Sequence, residues 1–191
     1  MPEHVKEKQF EADVVEALTT TGGYTAGINQ FYDVALGLDT SELLAFVGAT
    51  QISSWNELIV RHGGNPDEAQ QRFKQRLAAE LDRRGTLDVL RRGVEDQGLR
   101  FQLAYFRPAH GKNPELVEAY GRNRLTVTRQ LRYSDAHGNS VDLCLFVNGL
   151  PVATVELKHH LNGQSVPPPT CGSGHGPTTA GSTSSAGSWR W

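Results

Sequence analysis

At 191 residues, with 38% hydrophobic and 21% charged side chains, the chain is long enough to bury a core of its own as one domain. Its formal net charge of −2 and isoelectric point near 6.4 exclude a globally basic nucleic-acid binder, so any contact with nucleic acid has to rest on a local patch. No apolar run is long enough to cross a bilayer, and the opening Met-Pro-Glu-His-Val-Lys-Glu-Lys lacks an apolar leader segment, which together point to a cytoplasmic protein with no membrane partner.

The first predicted element is a helix over residues 5–20, with Phe10, Val14, Ala17 and Leu18 as its apolar stripe and Gly22-Gly23 as its stop. Glu7 falls near the middle of that stripe and Glu11 at its edge, where acids also suit the first turns of a helix. Residues 23–40 read as a loop anchored by Tyr24, Phe31 and Tyr32. Asp39-Thr40-Ser41 then caps a short helix through Phe46. A further helix runs from Ser53 or Ser54 to His62 with Trp55, Leu58 and Ile59 inward. Gly63-Gly64-Asn65-Pro66 separates it from a longer one that ends at Arg83 and buries Phe73, Leu77 and Leu81. Arg83-Arg84 sits where cations complement a helix C-terminus, which is preferred here to a role against DNA.

Residues 86–91 read as a short helix or an extended arm, and residues 99–105 alternate as a strand does. Asn113 and Pro114 supply the N-cap and first position of a helix over residues 114–120. A strand follows over residues 125–133, with Leu125, Val127 and Leu131 apolar. Asp135-Ala-His-Gly-Asn139 turns the chain into two more strands, residues 141–147 and 150–157, on either side of Asn148-Gly149. Helices first and strands afterwards give an α+β class with a mixed sheet flanked by helices. After Val166 the composition shifts to Pro, Gly, Ser and Thr, so residues 1–166 form the domain and residues 167–191 are expected to be a disordered tail. Cys144 and Cys171 read as free thiols; Cys171 and His175 alone make a weak zinc signal.

Three charges interrupt the last two strands: Asp142, Glu156 and Lys158. In buried strands each must be paired, wet or bound to metal. A plain two-residue turn would set Asp142 opposite Val155 and send Glu156 to the other face. A three-residue loop, with Gly149 left-handed in a bulge, pairs Phe146 with Leu150 and sets Asp142 opposite Thr154. Glu156 and Lys158 then follow on the face of Asp142, so the bulged turn is the expected one. Two carboxylates with the backbone carbonyl of Leu157 can hold Mg²⁺ or Mn²⁺ through oxygen, and Lys158 can orient water or offset charge on phosphorus. The same pattern also fits a strand-end acid and an edge ion pair.

The residues around the cluster narrow the choice. The block from Asn123 to Ser134, with Val141-Asp-Leu, Asn148-Gly-Leu-Pro-Val-Ala, Val155-Glu-Leu-Lys158 and Leu161-Asn-Gly-Gln164, resembles the N-terminal nuclease domain of the restriction (R) subunit of type I restriction enzymes. The likeness extends upstream through Phe101-Gln-Leu-Ala-Tyr-Phe-Arg-Pro108, Leu87-Asp-Val-Leu-Arg91, Thr50-Gln51 with Trp55, and Tyr32-Asp33, and covers residues 5–166. It implies a PD-(D/E)xK restriction-endonuclease-like core, α/β/α-like, with Asp142, Glu156 and Lys158 at the motif positions. It also implies that Glu7 or Glu11 can reach the metal from the first helix. Arg122, Asn123, Arg124, Arg129, Gln130 and Arg132 are candidates for gripping a DNA backbone, although a charge-protected edge strand would look similar.

The resemblance further implies DNA, methylation and specificity subunits as partners. His159-His160 stands where the family more often has an asparagine, and the pair reads as exposed loop residues, a metal ligand or a base. The family's Gln-x-x-x-Tyr helix and its motor do not follow, and the tail reads as the frameshifted or truncated ending of a nuclease domain. No G-x-x-x-x-G-K-[ST] loop occurs, so this chain is not expected to bind ATP. Three readings follow: a metal-dependent endonuclease domain, a non-catalytic remnant that at most binds DNA or partner subunits, and a junction resolvase or repair nuclease acting without partners.

Overall fold

A computed structural model describes residues 3–134 and 139–157, and gives an α+β architecture in which a mixed sheet is flanked by helices. The chain opens with α1, Glu3–Thr20. Its end is closed by backbone bonds from Thr21 and Gly22 to the Ala17 carbonyl and from Tyr24 to that of Leu18, with Gly23 at φ 75°. The side of α1 turned inward differs from the expected stripe. Phe10 is 55% exposed and Ala17 is exposed, whereas Glu11 is buried and Val14 and Leu18 are half-buried. Burial here follows what meets the sheet, and the sheet presents polar partners for Glu11.

The segment expected to be a loop contains β1, Thr25–Ala26, which pairs parallel to a strand a hundred residues later, Thr25 against Thr126 and Ala26 against Val127. Two residues carry no readable period, so this strand was invisible in the sequence. Gly27 extends the contact by donating to the Val127 carbonyl at 2.8 Å. A Cβ there would come within 2.2 Å of the Thr128 hydroxyl, so only glycine permits so close an approach.

A small antiparallel pair follows, β2 (Tyr32–Asp33) with β3 (Leu38–Asp39). Asp39 caps α2, Thr40–Thr50, by accepting from the Glu42 amide at 3.1 Å. Next come α3, Ile52–Arg61, and α4, Pro66–Arg84, which Asn65 caps through the amides of Asp67 and Glu68. Residues 86–91, expected as a short helix or an extended arm, are helical in α5, Thr86–Arg92. Its arginines and those of α4 meet acids: Arg83 and Arg84 bond Glu80, and Arg84 and Arg92 pair with Asp88.

The strand expected over residues 99–105 is shorter. Val94–Asp96 (β4) and Leu99–Phe101 (β5) form a hairpin, and beyond Phe101 the chain is held by Gln51 instead of by a strand. The Gln51 amide donates to the Gln102 carbonyl at 2.9 Å and accepts from its N–H at 2.7 Å. After α6, Pro114–Gly121, come β6 (Leu125–Arg132), β7 (Ser140–Val147) and β8 (Leu150–Val155). The sheet order is β1-β6-β7-β8, parallel at its first junction and antiparallel after it. Helices α2 to α5 bury Leu43, Phe46, Leu58, Phe73 and Leu77 with Leu150 and Leu103 in the main core. A smaller cluster gathers Tyr32, Leu131, Cys144 and Phe146.

Candidate functional site

The hairpin that carries the site is built differently from expectation. Asn148 and Gly149 have φ of 52° and 82°, and Val147 faces Leu150 across them, so the turn is the tight two-residue kind. The irregularity lies further along β8. Phe146 faces Pro151 but Leu145 faces Ala153, leaving Val152 as the extra residue of a bulge. The register therefore shifts past the expected pairing: Cys144 faces Thr154 and Leu143 faces Val155. The paired register ends there, with Asp142 and Glu156 the next residues along the two strands.

The reason the turn is tight lies in its surroundings. Asn148 is fully buried: its amide nitrogen reaches the Leu103 carbonyl at 2.8 Å and Asn123 Oδ1 at 2.9 Å, and its Oδ1 accepts from the Arg124 N–H at 2.7 Å. Gly149 accepts from the Asp39 N–H, and a Cβ on it would lie 2.3 Å from the Asp39 carbonyl oxygen. The turn is thus docked onto the start of α2. A three-residue loop would lose those contacts.

At the other end of β7, Asp142 is held from two sides. Its Oδ2 accepts from the Leu157 N–H at 2.7 Å, just past the end of β8, and its Oδ1 accepts from the Gln130 side-chain amide at 3.2 Å. The same Gln130 nitrogen donates to Glu11 Oε2 at 2.9 Å, and Arg129 Nε donates to Glu11 Oε1 at 2.6 Å. Glu11 is thereby joined to Asp142 through one amide group, although the two lie on the first helix and the seventh strand. Glu156 is exposed.

Two neighbouring residues of a regular strand project to opposite faces, yet Arg129 and Gln130 both reach Glu11. Between them the backbone departs from strand geometry, since Gln130 has a left-handed φ of 46°. For a residue with a side chain that conformation costs about 1–2 kcal/mol. It is held by the ladder on either side, Arg129 with Leu143 and Leu131 with Val141.

Among the described residues no three His, Cys, Asp or Glu side chains are grouped closely enough to form a ready metal cage. The donor chemistry nonetheless fits Mg²⁺ or Mn²⁺: Glu11 and Asp142 offer hard carboxylate oxygens from two elements, brought together on one amide group. Lys158, His159 and His160 lie outside the described residues, as do Cys171, His175 and the whole of the tail. Glu7 lies in α1, and its side chain is outside what the structure describes.

The candidates for DNA contact separate into two groups. Arg129 and Gln130 stand at the acids, and Arg132 is exposed further along β6. Arg122, Asn123 and Arg124 lie at the opposite end of that strand, where each has an intramolecular partner. Arg122 pairs with Glu118 and Arg124 with Glu42, while Asn123 bonds both the N–H and the carbonyl of Tyr105. Sequence reasoning missed the bridge made by Gln130. No pattern announces a left-handed glutamine in mid-strand.

The fold and the site together define an α+β domain in which Asp142, at the end of a sheet hairpin, is tied through Gln130 to Glu11 of the first helix. The family described as "Type I restriction enzyme R protein N terminus" matches residues 49–166, well over half of the chain. The chain belongs to that family, and with it to the type I restriction enzymes of restriction-modification systems. No curated protein and no solved structure matches it.

Proposed function

We propose that this domain hydrolyses DNA phosphodiester bonds with a PD-(D/E)xK nuclease site, dependent on Mg²⁺ or Mn²⁺. Its placement in a type I complex, with methylation and specificity subunits and DNA as partners, rests on the family. The observation that carries the nuclease reading is the convergence of Glu11 and Asp142 on a single amide group. Acids brought together from the two ends of a domain are costly to keep close unless they hold something positive between them.

In this reading Asp142 and Glu156 are the metal acids of the hairpin, Glu11 adds a carboxylate from α1, and the Leu157 carbonyl completes the oxygen set. A divalent ion, when bound, supplies Lewis acidity toward a phosphoryl oxygen and makes a hydroxide accessible near neutral pH. The Leu157 N–H fixes the orientation of Asp142. Lys158 orients the attacking water and offsets the charge that builds on phosphorus. Arg129 and Arg132, on the strand next to the acids, steady the substrate backbone.

The competing reading is a non-catalytic module that binds DNA or partner subunits. It is favoured by the fact that the carboxylate oxygens of Glu11 and Asp142 already have protein donors. Nicking of supercoiled plasmid by the purified chain separates the two. Activity that requires Mg²⁺ or Mn²⁺ and falls at least about a hundredfold in Asp142→Ala and Lys158→Ala supports the nuclease. Folded protein that never nicks, whatever the metal, supports the binding module.

A further inference from the structure

Resting on that reading of the site, we propose that Gln130 is a ligand of the divalent ion through its side-chain oxygen, and that its amide reverses when the ion binds. The NH₂ group lies between Glu11 Oε2 and Asp142 Oδ1, at 2.9 and 3.2 Å. Two ionised carboxylates accept only from donors, so the nitrogen must face them and the oxygen must face away. The amide thus bridges the two acids as a neutral donor.

A hard cation reverses this preference. It repels the NH₂ group and is a good partner for an amide oxygen, which ranks with carboxylates among Mg²⁺ and Mn²⁺ ligands. Rotation of the terminal amide exchanges its oxygen and nitrogen with little other movement. The neighbour on the far side accepts either orientation. The Ser140 hydroxyl donates to Gln130 Oε1 at 3.4 Å, and after reversal the same hydroxyl can accept from the NH₂. The register on either side, Arg129 with Leu143 and Leu131 with Val141, sets Gln130 across from Asp142, and its own backbone is left-handed at φ 46°.

The proposal distinguishes Gln130 from a residue that only grips DNA, because its effect is read with no DNA present. Mn²⁺ binding to the full chain is measured by calorimetry in Gln130→Gly, Gln130→Glu and Asp142→Ala. Glycine suits the left-handed backbone, so that variant removes the side chain while keeping the fold, which circular dichroism checks. Gln130→Gly is expected to bind Mn²⁺ on the order of tenfold more weakly, and Gln130→Glu at least as tightly as the parent. The side-chain amide resonances of Gln130, followed by NMR, are expected to shift on adding Mg²⁺. Unchanged Mn²⁺ affinity in Gln130→Gly, with binding lost in Asp142→Ala, overturns the role of Gln130 and leaves the metal site standing. Unchanged affinity in Asp142→Ala overturns the metal site itself.

Discussion

Asn148 shows how much of this domain hangs on a single side chain. Fully buried, it satisfies the Leu103 carbonyl, Asn123 and the Arg124 N–H, and its own N–H donates to the Arg124 carbonyl at 2.8 Å. Asn148→Ala orphans several of those groups in the interior and places alanine at a left-handed φ, so a loss of about 2–4 kcal/mol in urea unfolding is expected. Cys144 is the contrasting case, buried without any such network. Burial alone pushes its thiol up to about 12, so the thiolate is scarce at neutral pH. Mass spectrometry after brief alkylation at pH 8 should find Cys144 unmodified in native protein and modified once it is unfolded.

The hairpin β7-β8 is the element in which sequence and structure meet most closely. Asn148-Gly149 and the flanking apolar runs announced it, and the same-side requirement for Asp142 and Glu156 could be stated before any coordinates. The position of the extra residue could not. A bulge at the turn and a bulge at Val152 leave the same hydrophobic pattern, and the choice is made by what the turn packs against: the Asp39 carbonyl and α2 exclude a looser loop. Gly149→Ala puts a Cβ into that contact and strains a φ of 82°. A loss of at least about 2 kcal/mol in denaturant unfolding is expected, because overpacking and backbone strain add.

For α1 the amphipathic wheel misjudged the inward side. Apolar periodicity finds the face that oil would choose, whereas this helix turns Glu11 inward to meet Arg129 and Gln130. The near pairing of β1 with β6 was equally hidden, since two residues hold no period. The caps at Asn65 and Asn113 and the long apolar helices were readable, because each depends on residues adjacent in sequence.

On the scale of the whole molecule, acid should loosen the helical half first. Glu80 is 4% exposed, and its carboxyl is held below the usual carboxylate range by the hydrogen bond from Arg83, followed by that from Arg84, against the opposing effect of burial. Asp88 is lowered in the same way by Arg84. A carboxyl lowered in the folded state contributes stability that is complete above its unfolded value and is lost as pH falls through the folded one. Urea midpoints should therefore hold level above about pH 5 and fall below about pH 4. Glu80→Gln should be less stable at neutral pH and show a shallower acid limb.

Asp39 has the opposite sign. Burial raises its carboxyl, so its ionised form costs stability above that value and the cost is relieved in acid, partly offsetting the loss at Glu80 and Asp88. Among the described residues no helix is long and apolar enough to cross a membrane.

The most direct measurement on the central claim is anomalous diffraction from crystals of the full chain soaked in Mn²⁺. An ion sharing Asp142 and Glu11, with metal–oxygen distances of about 2.0–2.3 Å, is what this arrangement of acids predicts. An ordered manganese elsewhere, with Gln130 still donating to both carboxylates, would contradict it.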